Sequence, residues 1–335
     1  MANMIKLPLK ESFTVTFPKD ANAVSILLNY PRAYFWLMNC FIQLTCWGNQ
    51  YLDYYDFYYR NCMLLSYQRI KAELAEQMER GVTGFIKNAL AKGYYVVLPV
   101  ETQYIGQYDF KAVHDMMIYG YNDAGFFDIA DNFSGGKYRK AVCSTEELRE
   151  AISRINDPDT WTGGFEGTIE LLSYRDDDRA NFELYRVIES LQDYLASRAT
   201  SRWDVNLGIK WDLDEIKNRC FGMQCYDGIF QNIRIAKEQG GFAGSGHRAL
   251  FLEQEHKRIM ELRLAWMKER YPISDDIIAK YHTIADWSCV AMRLKLKHDV
   301  TGDEKLLNRI EEYYKLIRDK EMGVLPEVIS ELENY

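Results

Sequence analysis

Apolar residues follow two different spacings along this chain, and the spacings divide it. From Gly93 to Phe133 they fall in short β-branched and aromatic runs, YYVVLPVET, HDMMIYGY and FFDIADNF, which predict three strands. Asn122-Asp123-Ala124-Gly125, between the last two runs, has the composition of a tight turn and predicts a hairpin. His114 opens one strand of that hairpin and Asp131 closes the other, so antiparallel pairing makes them neighbours. Residues 12–17 (SFTVTF) alternate like an edge or half-buried strand ended by Pro18. Residues 137–142 and 168–174 read as two more strands, and Ser144-Thr145-Glu146-Glu147 opens a helix with a capping pattern.

Elsewhere the apolar positions recur three and four apart. Residues 33–59 are apolar and aromatic at this spacing, interrupted at Gly48-Asn49, and predict a buried central helix followed by a second one. Residues 70–90 predict an amphipathic helix weakened by Gly81 and Gly84. After the loop-like stretch NDPDTWTGGFEG (156–167), helical spacing dominates at 182–199, 213–239, 248–269, 275–297 and 304–320, with GGFAGSG (240–246) between two of these segments. The expected fold class is α+β: a core over residues 1–175, with a central helix against a small antiparallel sheet, followed by a mainly helical subdomain over residues 176–335.

A chain of 335 residues buries a sizeable core, and a formal charge of -8 argues against a general nucleic-acid binder, which needs a basic surface to neutralise phosphates. The segment MANMIKLPLKESFTVTF lacks a basic, then apolar, then small-residue signal pattern, and no apolar run reaches the roughly 18 residues of a membrane span. Seven scattered cysteines fit reduced thiols better than a disulfide framework. A cytoplasmic protein with no membrane or nucleic-acid partner is expected. Cys220 and Cys225 lack a second close pair, and the histidines and carboxylates at 247–257 match no metal signature, so no metal is expected.

The hairpin ends carry the chemistry. A thiol becomes a nucleophile at a helix N-terminus beside an imidazole, and the imidazole needs a carboxylate to fix its tautomer. His114 and Asp131 supply the second and third parts. Cys40 follows Asn39, an N-cap type, and precedes FIQLTCW, which places it at the first position of the buried helix; Cys46 lies almost two turns further on, and Cys62 has no helix-start signal. Cys40 is the preferred nucleophile, with Cys46 and Cys62 as alternatives. The plainer readings are a cysteine acting as a small buried hydrophobe, a strand-end histidine bonded to backbone, and a turn aspartate.

The order of Asn39-Cys40, YYVVLPVET, HDMMIYGYNDAGFFDIADNF and KYRKAV resembles the papain-fold, cysteine-peptidase-like family of bacterial thiotemplated biosynthesis, which includes the butirosin-pathway acyltransferase N-terminal domain and the amide ligase of closthioamide assembly. The resemblance covers residues 33–174 by motif order and the helical part more loosely. It implies a papain-like fold and an acyltransferase or amide ligase. Such an enzyme moves an acyl group from a carrier-protein thioester to the active-site cysteine, then to a small amine or diamine. No cofactor of its own is implied, since phosphopantetheine arrives on the carrier protein. Carried over by position, Cys40 is the nucleophile, His114 the general base and Asp131 the orienting carboxylate.

The family places an oxyanion-hole glutamine before the cysteine, but PRAYFWLMN (31–39) contains none; Asn39 or Asn29 is the side-chain substitute, and the backbone N–H of Cys40 is the preferred donor. Glu101, at a strand end, and Asp115, beside the histidine, are candidates for attracting a cationic amine. Lys137, Arg139 and Lys140 suggest a docking patch for the acidic carrier protein. The same residues also suit a peptidase or thioesterase using water, or a catalytically silent papain-like scaffold.

Overall fold

The structure, a computed structural model, describes residues 4–48, 51–78, 80–155, 167–200, 203–204, 209–210, 219–242 and 244–335. The chain forms two compact units, one of Met1–Tyr34 with Tyr59–Ala180 and the other of Phe35–Tyr58 with Asn181–Tyr335. The boundary expected at residue 175 thus lies at 180, and the segment 35–58 belongs with the helical half of the chain.

The first unit is built on a seven-stranded antiparallel sheet. Its elements are β1 (Ile5–Lys6), α1 (Pro18–Leu27), β4 (Leu65–Lys71), α3 (Ala72–Glu76), α4 (Gly81–Ala91), β5 (Tyr95–Glu101), β6 (Val113–Tyr121), β7 (Phe126–Phe133), β8 (Lys137–Ser144), α5 (Thr145–Ser153) and β9 (Thr168–Tyr174). The strand order is β4-β9-β5-β6-β7-β8, with β1 added to β6. The expected β6–β7 hairpin is present, with Asn122 Oδ1 accepting from Phe126 N at 3.2 Å to close its turn. The Ser144–Glu147 capping box of α5 is complete.

Alternation along the strands separates two faces. Val96, Leu98, Val100, Met116, Ile118, Phe127, Ile129 and Phe133 form a core with Ile86 of α4 and Leu148 of α5. The opposite face meets α1: Lys19 Nζ lies 2.6 Å from Asp115 Oδ2, and Tyr138 OH donates to Asn22 Oδ1 at 2.7 Å.

Two local expectations are corrected in this unit. Residues 12–17 form no strand, because Pro18 is the first residue of α1 rather than a strand breaker; its fixed φ suits a helix start, where an N–H has no partner anyway. The helix expected over 70–90 is β4, α3 and α4 in succession. Arg80 and Gly81 adopt φ of 72° and 63°, and Glu76 Oε2 accepts from Val82 N at 3.0 Å, so the chain restarts a helix there.

The second unit contains a three-stranded sheet, β2 (Leu44–Trp47), β3 (Tyr51–Tyr54) and β12 (Arg219–Phe221), in the order β12-β2-β3. The short pairs β10 (Trp203–Asp204) and β11 (Ile209–Lys210) form a separate ladder. Its helices are α6 (Leu184–Leu195), α7 (Cys225–Gln239), α8 (Ser245–Lys268), α9 (Asp275–Thr301) and α10 (Lys305–Glu333). α2 (Pro31–Leu37) contains the point where the chain leaves one unit for the other. The helices expected over 33–59 are therefore wrong beyond residue 37. Gly48, at φ 58°, begins the turn of a hairpin in which Trp47 pairs with Tyr51. The loop expected at 156–167 lies outside the described residues except for Gly167, as does most of 201–218.

The helical unit has a buried polar centre. Lys257 Nζ donates to Glu321 Oε2 at 2.8 Å and to Tyr194 OH at 3.0 Å, while Tyr226 and Tyr281 donate to the same carboxylate at 2.8 and 2.6 Å. Burial raises Glu253 and all three phenols, so the phenols remain protonated donors to Glu321. Among the described residues, no helix is long and apolar enough to cross a membrane.

Candidate functional site

β6 and β7 bring His114 and Asp131 together. The hairpin register sets Ile118 opposite Ile129, and counting back along the pleat puts His114 and Asp131 on one face at the open end of the pair. His114 Nδ1 lies 2.6 Å from Asp131 Oδ2. The carboxylate is fully buried, whereas 30 % of the histidine side chain is exposed. The Tyr108 hydroxyl donates to the same Oδ2, and Asn132 N donates to Oδ1 at 2.7 Å. A proton on Nδ1 is thereby favoured, which makes Nε2 the basic nitrogen of the neutral ring.

Burial raises the Asp131 carboxyl above its ordinary range, and the hydrogen bonds from His114, Tyr108 and Asn132 oppose that rise. Tyr108 is pushed well above a normal phenol by burial and by the Asp131 charge, so it acts as a donor. The rings of Phe110 and Tyr108 stand edge-on to the imidazole, with centroids 5.8 and 6.2 Å away. Tyr108 and Phe110 escaped the sequence reading because they sit in the β5–β6 connection, where no periodicity marks them.

Asp115 and Asn132, next in sequence to the pair, both hold the segment that enters α1. Asn132 Nδ2 donates to the carbonyls of Val15 and Thr16 at 3.3 and 3.4 Å, and Asp115 pairs with Lys19. The first turn of this helix carries Pro18, Lys19 and Asp20, with no thiol. The charge of Asp115 is balanced by Lys19. Glu101 is closed off from solvent at the end of β5, and neither carboxylate oxygen has a hydrogen-bond partner among the described residues.

Cys40 belongs to the other unit. It does not start a helix: it follows the C-terminal end of α2, where the helix dipole disfavours a thiolate. Its N–H donates to Leu37 O at 3.0 Å, its carbonyl accepts from the Arg263 guanidinium, and its Sγ lies 4.0 Å from Trp36 O. The next three amides, of Phe41, Ile42 and Gln43, donate to the Asp56 carboxylate at 2.9, 2.9 and 3.1 Å. Arg263 and Asp56 thus fix this turn from both sides, and Phe41 accepts a φ of 64° within it.

Asn39 is equally committed: Nδ2 donates to Asn181 O and Oδ1 accepts from Glu183 N, both at 2.8 Å. Asn39 and the Cys40 N–H, both assigned to an oxyanion hole, are therefore engaged in holding the chain. Burial pushes Cys46, Cys62 and Cys143 up to about 12 and raises Cys220 and Cys225, the opposite of what activates a nucleophile. Among the described residues, no group of three or more His, Cys, Asp or Glu side chains is arranged to hold a metal ion.

No protein-family model matches the chain, and no curated protein matches it significantly.

Proposed function

We propose that the chain is a papain-like acyl-transfer enzyme in which His114, oriented by Asp131, is the general base that passes an acyl group from a carrier-protein thioester to a small amine. The observation that carries this reading is the 2.6 Å contact between a partly exposed imidazole and a fully buried carboxylate. A carboxylate fixing Nδ1 leaves the opposite nitrogen for proton transfer, the arrangement general-base catalysis requires. The acyl donor and acceptor classes rest on the resemblance in motif order. With water in place of the amine, the same base gives a thioesterase or peptidase.

Motif order favours a route in which Cys40 first carries the acyl group. The surroundings of Cys40 favour a second route without an acyl-enzyme. The amine nitrogen attacks the thioester carbonyl, His114 Nε2 takes the amine proton, the C–N bond forms as the C–S bond breaks, and the imidazolium returns the proton to the leaving thiolate. Atoms and charge balance without a cofactor.

The experiment is incubation with acetyl-pantetheine and a small diamine, followed by mass spectrometry of protein and products for wild type, His114→Gln and Cys40→Ser. Amide formation that needs His114 but survives Cys40→Ser supports the direct route. An acetylated protein absent in Cys40→Ser supports the covalent one. No product and no acylation with any variant, or with a carrier-bound donor, would reduce the chain to a silent scaffold.

A further inference from the structure

We infer that the edge strand β8, one strand away from Asp131, presents a docking face for an acidic protein surface; the identification of that surface as a carrier protein rests on the reading above. β8 is the last strand of the sheet, and Lys137, Arg139 and Lys140 are exposed along it. Its register places Arg139 opposite Asp131 and Lys137 opposite Phe133. The cations therefore begin one strand away from the residue that orients the imidazole.

A second strand adds to the patch. Lys6 of β1 joins Arg139 and Lys140 around a shallow cavity of about 470 Å³, together with Gln107, Tyr119 and Asp128. Asp128 is the one carboxylate in that lining and is paired with Lys6 at 2.7 Å. Lys140 Nζ donates to Leu9 O at 2.5 Å, and the Arg139 guanidinium lies 5.8 Å from the Phe133 ring centroid, so both cations are held in place by neighbours that carry no charge.

Edge strands often carry lysine simply to resist pairing with other chains. That explains Lys137 and Lys140. It does not require Arg139, which stands directly opposite Asp131 and, with Lys137, lies on the same face of the sheet as that carboxylate. The chain as a whole carries a formal charge of -8, so an acidic partner is repelled by most of this protein. A local run of cations one strand from Asp131 is where such a partner is steered, and steering by complementary charge acts mainly on association and is screened by salt.

The test uses the full chain with two donors, free acetyl-pantetheine and an acidic acyl carrier protein bearing an acetyl thioester. Lys137→Glu/Arg139→Glu should lower kcat/KM for the carrier-bound donor at least tenfold and leave the free donor within twofold, and raising salt from 50 to 300 mM should reproduce the loss in wild type. Lys137→Gln/Arg139→Gln is the milder pair if charge reversal disturbs folding, with a smaller loss of the same selectivity. An equal effect on both donors, or none on the carrier-bound donor, overturns the docking face. If wild type turns over neither donor, the proposed reaction fails, and docking is judged separately by titrating the same carrier protein. Binding lost in the charge-reversed variant upholds the face. No binding, or equal affinity for a single-stranded oligonucleotide, overturns it.

Discussion

His114 Nδ1 and Asp131 Oδ2 lie 2.6 Å apart at the open end of a β-hairpin, with the carboxylate fully buried and the imidazole partly exposed. The hairpin turn sets the register, the register sets the pair, and Tyr108 and Asn132 donate two further hydrogen bonds to Asp131. A buried carboxylate held by three donors is a rigid support for an imidazole.

Asp131→Asn tests that support. The amide keeps the shape but favours the wrong tautomer of His114, so the rate of acyl transfer should fall by about 10²–10⁴. Near-ultraviolet circular dichroism should show the fold retained. A rate within threefold of wild type would remove Asp131 from the account.

Asn39→Ala separates a structural from an oxyanion role. Loss of the hydrogen bonds to Asn181 O and Glu183 N should destabilise the protein by roughly 1–3 kcal/mol in urea unfolding. Acyl transfer by the folded variant should remain near the wild-type rate; a hundredfold loss without destabilisation would restore Asn39 to the chemistry.

The hairpin was legible because its code is local. Alternating β-branched and aromatic residues around Asn122-Asp123-Ala124-Gly125 leave few options, and antiparallel pairing then makes the ends neighbours. The segment 33–59 was not legible, because its dense apolar and aromatic residues satisfy helical and strand spacing alike. β2 is fixed instead by pairing with β12, whose Cys220 stands opposite Cys46. Asn39 looked like an N-cap, yet its side chain is spent on backbone more than a hundred residues away. Pro18 was misjudged for a similar reason: the same ring that ends a strand also suits the first turn of a helix, and Asp20 in that turn was the overlooked signal.

Asp53→Asn tests the electrostatics of the small sheet. Burial lifts the Asp53 carboxyl from 3.8 to about 6, against the opposing effects of Tyr54 N, Arg248 and Arg219. Between those values the folded protein holds a proton that the unfolded chain has released, so stability falls as pH rises from about 4 to 6 and levels off above. The asparagine variant lacks this penalty. Chemical denaturation should find the variant more stable than wild type by roughly 1–3 kcal/mol at pH 7, after allowance for partial exposure, and equal to it near pH 4. An identical pH profile for the two proteins would contradict the shift.

Thiol labelling tests the environment of the cysteines. Iodoacetamide at pH 8 should modify the partly exposed Cys220 and Cys289 in the native protein, while Cys40, Cys46, Cys62, Cys143 and Cys225 react only on unfolding. Peptide mass spectrometry reads the sites. Preferential modification of Cys40 would favour the covalent route.

The central claim is that His114 moves the proton in acyl transfer. Its most direct test is the pH–rate profile of amide formation from an acyl thioester and a small amine, measured for wild type and His114→Gln at saturating donor. The account predicts that the wild-type rate rises with pH through a single ionisation and that His114→Gln loses this step together with about 10²–10⁴ in rate. A variant that keeps both the rate and the step would show that the proton passes through another group.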